Sequence, residues 1–192
     1  MAENTELYVW EHFYRPKHIK DVIMPQDYHN FFNKIIKGGA SMNLVLASST
    51  PGSGKSTTAR ALANDLEVEH LFINASDENG IETIRETVTN FASTGSLNGK
   101  PKLIIFDEAD GMTAKGQEAL RSYIDKFQDN CRYILTCNHI AKIIKPLKEE
   151  GGRTMTFDYD LKNPKYLAEL KEKVYKRMAG ILKFEKIPFD EK

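Results

Sequence analysis

The segment from residue 50 to residue 57 has the residue types and spacing of a loop that binds phosphate. It follows an apolar run over residues 42–47 and leads into a helical pattern from Lys55 to about Leu66. Glycines in such a loop let backbone N–H groups turn toward phosphates, and the positive end of the next helix favours an anion. The segment predicts that a nucleoside triphosphate is bound by Pro51, Gly52, Ser53, Gly54, Lys55, Ser56 and Thr57.

Two side chains of this loop have specific chemistry. Lys55 can reach the β and γ phosphates, and the Ser56 hydroxyl can ligate Mg²⁺. One position departs from the pattern G-x-x-x-x-G-K-S/T, because Ser49 stands where the first glycine is expected. The alternative interpretation of the segment is an ordinary Gly/Ser turn between a strand and a helix.

A second motif, Leu-Ile-Ile-Phe-Asp-Glu over residues 103–108, is typical of a buried strand that ends in two carboxylates. Open α/β sheets place ligands at the carboxyl ends of their strands. We expect Asp107 to hold Mg²⁺ through water and Glu108 to orient or deprotonate the attacking water. Alone, this motif is equally consistent with a strand that enters a loop, but together with the loop at Lys55 it predicts an ATP and Mg²⁺ site.

The composition is that of an ordinary soluble protein, with 27 basic and 27 acidic residues among 192 and 41% hydrophobic residues. This length holds one α/β domain and the beginning of another. The neutral charge gives no overall signal for nucleic acid. Apolar stretches are short and the N-terminus lacks a signal-peptide pattern, so we expect a cytoplasmic protein without membrane contact. Cys131 and Cys137 lack zinc spacing and predict buried thiols.

Apolar segments alternate with amphipathic helical patterns along the chain, which predicts an α/β fold with a parallel sheet and helices on both faces. The predicted strands cover residues 42–47, 70–74, 102–106, 132–136 and 154–157. Helical spacing of apolar residues predicts four helices, whose apolar faces begin at Ala59, Ile81, Leu120 and Ile140. The last of these would include Ile140, Ile143, Ile144 and Leu147 on one face.

The two ends of the chain have further patterns. Pro25 precedes a short predicted helix over residues 26–36, and the aromatic segment before it is predicted to be extended. Asn163 and Pro164 predict the start of a long helix. We assign residues 1–161 to a nucleotide-binding domain and 162–192 to the beginning of a second, helical domain, which either is truncated or packs back on the first.

Around the two nucleotide motifs, the chain resembles the ATPase module of AAA+ proteins, particularly the small ATPase subunit of phage-type sliding-clamp loaders. The segments WEHFYRPK at 10–17 and IKDVI at 19–23 are similar to the part of that family that covers the adenine. The resemblance implies a P-loop NTPase with a central five-stranded parallel sheet, the first helix of an α-helical lid domain, and an adenine-covering arm with Tyr14, Arg15, Pro16, Val22 and Ile23 on the base and ribose side. Packing of this arm on the core is the alternative for each side chain.

Two further positions match the family by their place in the motif order. Asn138, after the strand over 132–137, corresponds to the first sensor, which contacts the γ-phosphate and the attacking water; alternatively it caps the next helix. Gln117 and Arg121, on the helix after the Asp-Glu strand, correspond to residues that couple ATP sites to DNA. A solvated polar face explains their spacing of four residues equally well.

The sequence departs from the family at one catalytic position. Clamp-loader ATPase subunits present a Ser-Arg-Cys triplet whose arginine reaches the neighbouring subunit's ATP. Here residues 148–153 read Lys-Glu-Glu-Gly-Gly-Arg, so no arginine stands at the expected place. Three explanations stay open: the glycines shift Arg153 into the role of the finger, the finger is absent by nature, or the loop is altered. Lys148 is an alternative cation. In that family a second sensor arginine lies on a later lid helix, which we expect to fall beyond this chain, and we therefore expect slow intrinsic turnover.

The resemblance implies a Mg²⁺-dependent ATPase subunit of a DNA sliding-clamp loader, in the host cytoplasm if phage-encoded. Its expected partners are other loader subunits in a ring or spiral, the sliding clamp and primer–template DNA. The alternatives are a nucleotide-binding structural subunit with little turnover and another AAA+ DNA motor such as a helicase loader. A P-loop kinase is a third class, but no acceptor-site pattern is present. The sequence Asp-Glu-Ala-Asp at 107–110 is also the motif after which a superfamily of helicases is named. Those helicases need two RecA-like domains in one chain, which 192 residues cannot supply, so we attribute the match to coincidence.

Overall fold

The protein has a central sheet of five parallel strands. The structure is a computed structural model that describes residues 9–39, 42–76, 81–96, 98–148, 154–159 and 161–190, without the side chains of 81–84. The strand order is β2-β3-β4-β1-β5, and every adjacent pair is parallel. The predicted parallel sheet is confirmed, with each strand within one or two residues of its expected bounds. The strands are β1 (Asn43–Ala47), β2 (His70–Asn74), β3 (Lys102–Asp107), β4 (Cys131–Cys137) and β5 (Thr154–Asp158).

Helices cover both faces of this sheet, because alternate residues of each strand point to opposite sides. On β1, Leu44 and Leu46 belong to the core cluster on one face, while Val45 and Ala47 belong to the cluster on the other. The first face carries α2 (Gln26–Gly38) and α3 (Lys55–Leu66). The second face carries α4 (Ile81–Ser93), α5 (Ala114–Lys126) and α6 (Lys145–Lys148).

Local sequence signals define where the main helices begin. The residue before α3 is Gly54, whose φ of 88° lies in the left-handed region that glycine adopts without strain. The Thr113 hydroxyl caps α5 by accepting a hydrogen bond from the Gly116 N–H at 3.1 Å. Asn163 caps the long helix α7 (Pro164–Phe184), as predicted, and Pro164 occupies its first turn.

Two segments differ from the sequence prediction. The aromatic segment before Pro25 is not wholly extended, because it contains the short helix α1 (Trp10–Phe13) and a 3₁₀ helix over Ile19–Asp21. The helix expected over residues 140–147 is instead a 3₁₀ helix, Ile140–Lys142, followed by α6. Pro146 explains the break, because it has no N–H to donate to the carbonyl of Lys142 and restricts the residue before it.

The buried side chain of Gln117 completes the hydrogen bonds at this break. Its Nε2 donates to the carbonyl of Lys142 at 3.0 Å and to that of Met112 at 3.3 Å, and its Oε1 accepts from the Ile144 N–H at 2.8 Å. Gln117 is 2% exposed, so the solvated-face interpretation is wrong for this residue. Arg121, one turn later, is partly exposed and pairs with Glu118 at 3.7 Å. A coupling role for either residue stays a prediction.

The helix α7 contacts the N-terminal arm through polar groups and through the ring of Phe184, which lies 6.5 Å from that of Phe13. Lys173 donates to the carbonyl of Met24 at 2.7 Å, and Arg177 donates to the carbonyl of Tyr14 at 2.9 Å. Several apolar side chains of α7 remain exposed, including Leu167, Val174 and Met178. The first helix of a lid domain is consistent with this arrangement, while the boundary at residues 161 and 162 stays a prediction. Within the described ranges, no helix is long and apolar enough to cross a membrane.

We predict that Gln117→Ala lowers the free energy of unfolding by about 1–3 kcal/mol, because it leaves partly buried backbone groups without partners. Arg121→Ala, the control on the same helix, changes it by less than about 0.5 kcal/mol, because exposed ion pairs contribute little. Urea denaturation of both variants and the wild type measures the difference. Equal losses in the two variants would contradict the structural role of Gln117.

Candidate functional site

A cavity of about 420 Å³ lies at the carboxyl ends of β1, β3 and β4. The phosphate loop predicted from the sequence, residues 51–57, forms one wall. Asp107, Glu108 and Asn138 line the cavity from the ends of β3 and β4. The sheet order explains this convergence, since β4 lies between β1 and β3 and all three strands point their carboxyl ends to the same edge.

Lys55 is the buried cation of this cavity. Its side chain is almost fully enclosed, and its Nζ donates to Asn138 Oδ1 at 2.8 Å and to Ser53 Oγ at 3.2 Å. Burial lowers the pKa of Lys55, while the negative charge of groups at the strand ends, including Asp107, opposes this shift. Lys55 is the first residue of α3, and the N-terminal end of this helix also favours an anion.

A chain of hydroxyl and carboxylate groups lies beside Lys55. Ser56 Oγ donates to Asp107 Oδ1 at 2.6 Å, and Thr136 Oγ1 donates to the same oxygen at 2.5 Å. The Thr136 hydroxyl also accepts from the Glu108 N–H at 3.1 Å. Thr136 was not predicted from the sequence, although a hydroxyl near the end of an otherwise apolar strand was a signal. Thr136 therefore contacts the carboxylate of Asp107 and the backbone of Glu108.

Glu108 holds a backbone conformation that few residues other than glycine adopt, with φ at 54°. Its carboxylate accepts a hydrogen bond from Ser76 Oγ at 2.7 Å, just after β2. Gly111 permits this approach, because a Cβ there would lie 3.0 Å from the Cβ of Ser76. Ser76 was missed in the sequence, since nothing in the Ala-Ser-Asp sequence marks it as a partner of Glu108.

Asn138 does not cap the following helix. The residue before that 3₁₀ helix is His139, which has no side-chain cap, and the side chain of Asn138 contacts Lys55 instead. Asp110 Oδ2 holds the segment in place by accepting from the backbone N–H groups of Asn138 and His139, at 3.3 and 3.0 Å. The amide of Asn138 thus faces the phosphate loop, and its role as a sensor stays a prediction.

The predicted adenine arm reaches the cavity at one of its five residues. Arg15 lines the cavity and pairs with Glu11 at 2.8 Å. The Tyr14 hydroxyl contacts Glu185, beyond the end of α7, and Val22 is buried in the core. Pro16 and Ile23 do not line the cavity either. These contacts resemble the packed-arm alternative, and binding of the base by the arm stays a prediction.

The region predicted to hold an arginine finger lies partly outside the described residues, which exclude 149–153 and therefore Arg153. Lys148, the alternative cation, donates to the carbonyl of Ile140 at 3.0 Å. The cavity also contains two residues that sequence reasoning missed, Arg60 of α3 and Phe72 of β2. The sequence contains a signal for Arg60 only, because it is a charged residue within the otherwise small and apolar sequence Ala-Arg-Ala-Leu-Ala of α3.

Both cysteines are buried free thiols, as predicted, and Cys137 lines the cavity. Burial raises the pKa of Cys131 to about 11 and that of Cys137 to about 12. A raised thiol pKa keeps the sulfur protonated at neutral pH, and the protonated thiol is a poor nucleophile.

We predict that neither cysteine of the folded chain reacts quickly with an aromatic disulfide reagent at about pH 8, because the reactive thiolate is scarce. In denaturant both thiols react, since unfolding returns their pKa values to the ordinary range. Absorbance of the released thiolate measures the two stoichiometries. Rapid reaction of one thiol in the folded chain would contradict the burial of these residues.

The chain is similar to proteins of one family over most of its length. Residues 45–159 match the family described as ATPase family associated with various cellular activities (AAA). The chain is 35% identical over 96% of its length to the sliding-clamp-loader large subunit of Escherichia phage RB69. It is 38% identical over its full length to the replication factor C small subunit of Saccharolobus solfataricus. It spans 57% of the length of each of these relatives.

Solved structures show the same fold. The branch migration motor RuvB of Thermotoga maritima superposes with a TM-score of 0.67 at 20% sequence identity. The match covers 89% of this chain and 55% of that structure. At 20% identity, this similarity supports only the arrangement of strands and helices. Inferences about chemistry rest on the residues of the cavity.

Proposed function

The chain belongs to the AAA family of ATPases, and from this premise we propose that it is the ATP-binding and ATP-hydrolysing part of a DNA sliding-clamp-loader subunit. ATP binding would order an assembly of loader subunits that grips the clamp and primer–template DNA, and hydrolysis would release both. The names of the relatives from phage RB69 and Saccharolobus solfataricus support the assignment. The single observation that carries it is the convergence of Lys55, Ser56, Asp107 and Asn138 in one cavity.

The donor atoms at Ser56 and Asp107 fit Mg²⁺. A hydroxyl and a carboxylate oxygen 2.6 Å apart are hard oxygen ligands, and Mg²⁺ in nucleotide sites is bound by few protein ligands together with phosphate. When bound, the ion would neutralise charge on the phosphates. Thr136 orients the Asp107 carboxylate for this contact through its 2.5 Å hydrogen bond.

The roles of the remaining residues follow from their positions. Lys55 supplies a buried positive charge for the β and γ phosphates, and Asn138 positions that charge and contacts the γ-phosphate. Glu108 orients or deprotonates the attacking water. Ser76 donates to one oxygen of the Glu108 carboxylate, which leaves the other oxygen able to accept a hydrogen bond from water.

One observation favours a second candidate, a nucleotide-binding structural subunit with little turnover. The sequence over residues 148–152 lacks the arginine expected to act on a neighbouring subunit's ATP. Loss of such a residue reduces turnover by about a thousandfold or more. Glu108 opposes this candidate, because a purely structural subunit needs no carboxylate to activate water. Arg153 as a displaced finger remains part of the proposal for the enzyme.

We predict that Glu108→Gln retains ATP binding and loses at least about a hundredfold in turnover, because the amide cannot accept a proton from water. Lys55→Ala is predicted to abolish ATP binding, because it removes the buried cation of the phosphate loop. Calorimetric titration with ATP and Mg²⁺ measures binding, and phosphate release in the presence of partner subunits, clamp and primed DNA measures turnover.

The matched control is Lys145→Ala, which removes a lysine on α6 outside the cavity and leaves binding and turnover unchanged. Equal background turnover in wild type and Glu108→Gln, with intact ATP binding, would favour the structural subunit. Tight ATP binding by Lys55→Ala would contradict the assignment of the nucleotide site itself.

A further inference from the structure

Arg60 brings a second cationic group of α3 into the cavity. Its guanidinium carbon lies 3.3 Å from the ring centroid of Phe72, so the planar group stacks on an aromatic face that forms part of the same wall. Phe72 lies in β2 and is paired with Ile105 of β3 in the sheet. The stack therefore holds the guanidinium on a rigid element and limits its freedom of rotation.

The position of Arg60 on its helix directs this group toward the phosphate loop. Arg60 comes four residues after Ser56, so the two side chains lie on the same face of α3. Side chains of a helix lean toward its N-terminus, which here is the end that faces the loop. Burial, together with the charge of Arg15, lowers the pKa of Arg60, and the charge of Asp107 opposes this shift. Arg60 thus shares the space occupied by the acidic and basic groups of the site.

The hydrogen-bond donors of Arg60 distinguish it from the other two cations of the cavity. Lys55 donates to Ser53 and Asn138, and Arg15 donates to the carboxylate of Glu11. In the part of the chain that the structure describes, no hydrogen-bond acceptor or carboxylate pairs with the guanidinium of Arg60. A half-buried guanidinium that has lost water contacts is stabilised when an anion accepts its hydrogen bonds.

We propose that Arg60 is a second cationic contact for the β and γ phosphates of bound nucleotide, supplied by the same subunit as Lys55. This inference rests on the proposed function, because it requires the cavity to be the ATP site. Phe72 acts as the support that aims the guanidinium. A planar guanidinium can donate two parallel hydrogen bonds to phosphate oxygens, which an ammonium group cannot match.

A purely structural role makes a different set of predictions. If the stack on Phe72 serves only to pack α3 against β2, then removal of the guanidinium lowers stability and leaves nucleotide selectivity unchanged. A contact with the terminal phosphates instead contributes to binding of ATP and ADP and contributes little to binding of AMP. The two roles therefore separate in a comparison of nucleotides that differ only in phosphate number.

The test compares Arg60→Gln, Arg60→Lys and Lys55→Ala with the wild-type chain. Titration calorimetry with Mg²⁺ measures the dissociation constants of ATP, ADP and AMP, and thermal denaturation without nucleotide measures stability. We expect Arg60→Gln to weaken ATP binding about tenfold or more, in the range of one hydrogen bond to a charged group. Binding of AMP should change less than about threefold, and Arg60→Lys should recover part of the ATP affinity because it restores the charge.

Two outcomes would overturn the inference. Unchanged ATP affinity in Arg60→Gln, with binding lost in Lys55→Ala, would refute the Arg60 contact and leave the proposed ATP site intact. Equal weakening of all three nucleotides, together with a lower midpoint of thermal unfolding, would assign Arg60 a structural role. Wild-type affinity in Lys55→Ala would instead show that the nucleotide site itself is misassigned.

Discussion

The hydrogen bond from Lys55 Nζ to Asn138 Oδ1 is the interaction on which the site depends. An ammonium group this deeply buried is costly unless its hydrogens are accepted, and Asn138 and Ser53 accept them. The bond joins the loop after β1 to the residue after β4, so it forms only when these two strands are neighbours. The register, in which Ala47 pairs with Cys137, places the two ends side by side.

The acidic half of the site depends on the next pair of strands. Thr136 near the end of β4 bonds both the carboxylate of Asp107 and the backbone of Glu108 at the end of β3. Ser56 then connects Asp107 back to α3 at 2.6 Å. The ends of three strands and one helix are thus linked through side chains of the site. The geometry of the site therefore depends on the correct pairing of these strands.

The sequence predicts the strands and the phosphate loop well, because these signals are local. Apolar runs of five or six residues define strands, and the glycines, Lys55 and Ser56 specify the loop within eight positions. By contrast, Thr136, Ser76 and Arg60 acquire their roles only through partners distant in the chain, so the local signals at Thr136 and Arg60 do not specify those contacts. The prediction of one helix over residues 140–147 was wrong, because it followed the apolar spacing and did not account for Pro146. In the structure, the side chain of Gln117 stabilises the break in this segment.

In the N-terminal arm, the family pattern predicts contacts with the base, whereas the structure shows packing contacts for most of the same residues. Tyr14 and Val22 match a family pattern associated with the base, yet Tyr14 contacts the region of α7 and Val22 belongs to the core. Arg15 alone among the five predicted arm residues lines the cavity. The resemblance and the geometry therefore agree best at the phosphate end of the site, where the constraints on residue type are strictest.

The most direct test of this account is a crystal structure of the chain with Mg²⁺ and a non-hydrolysable ATP analogue. The account predicts terminal phosphates within hydrogen-bond distance of Lys55 Nζ, and a metal ion about 2.1 Å from Ser56 Oγ on the side of Asp107. The direct hydrogen bond between Ser56 and Asp107 should then be replaced by contacts with the ion. A triphosphate bound away from the loop, or one that leaves Lys55 bonded only to Ser53 and Asn138, would contradict the account.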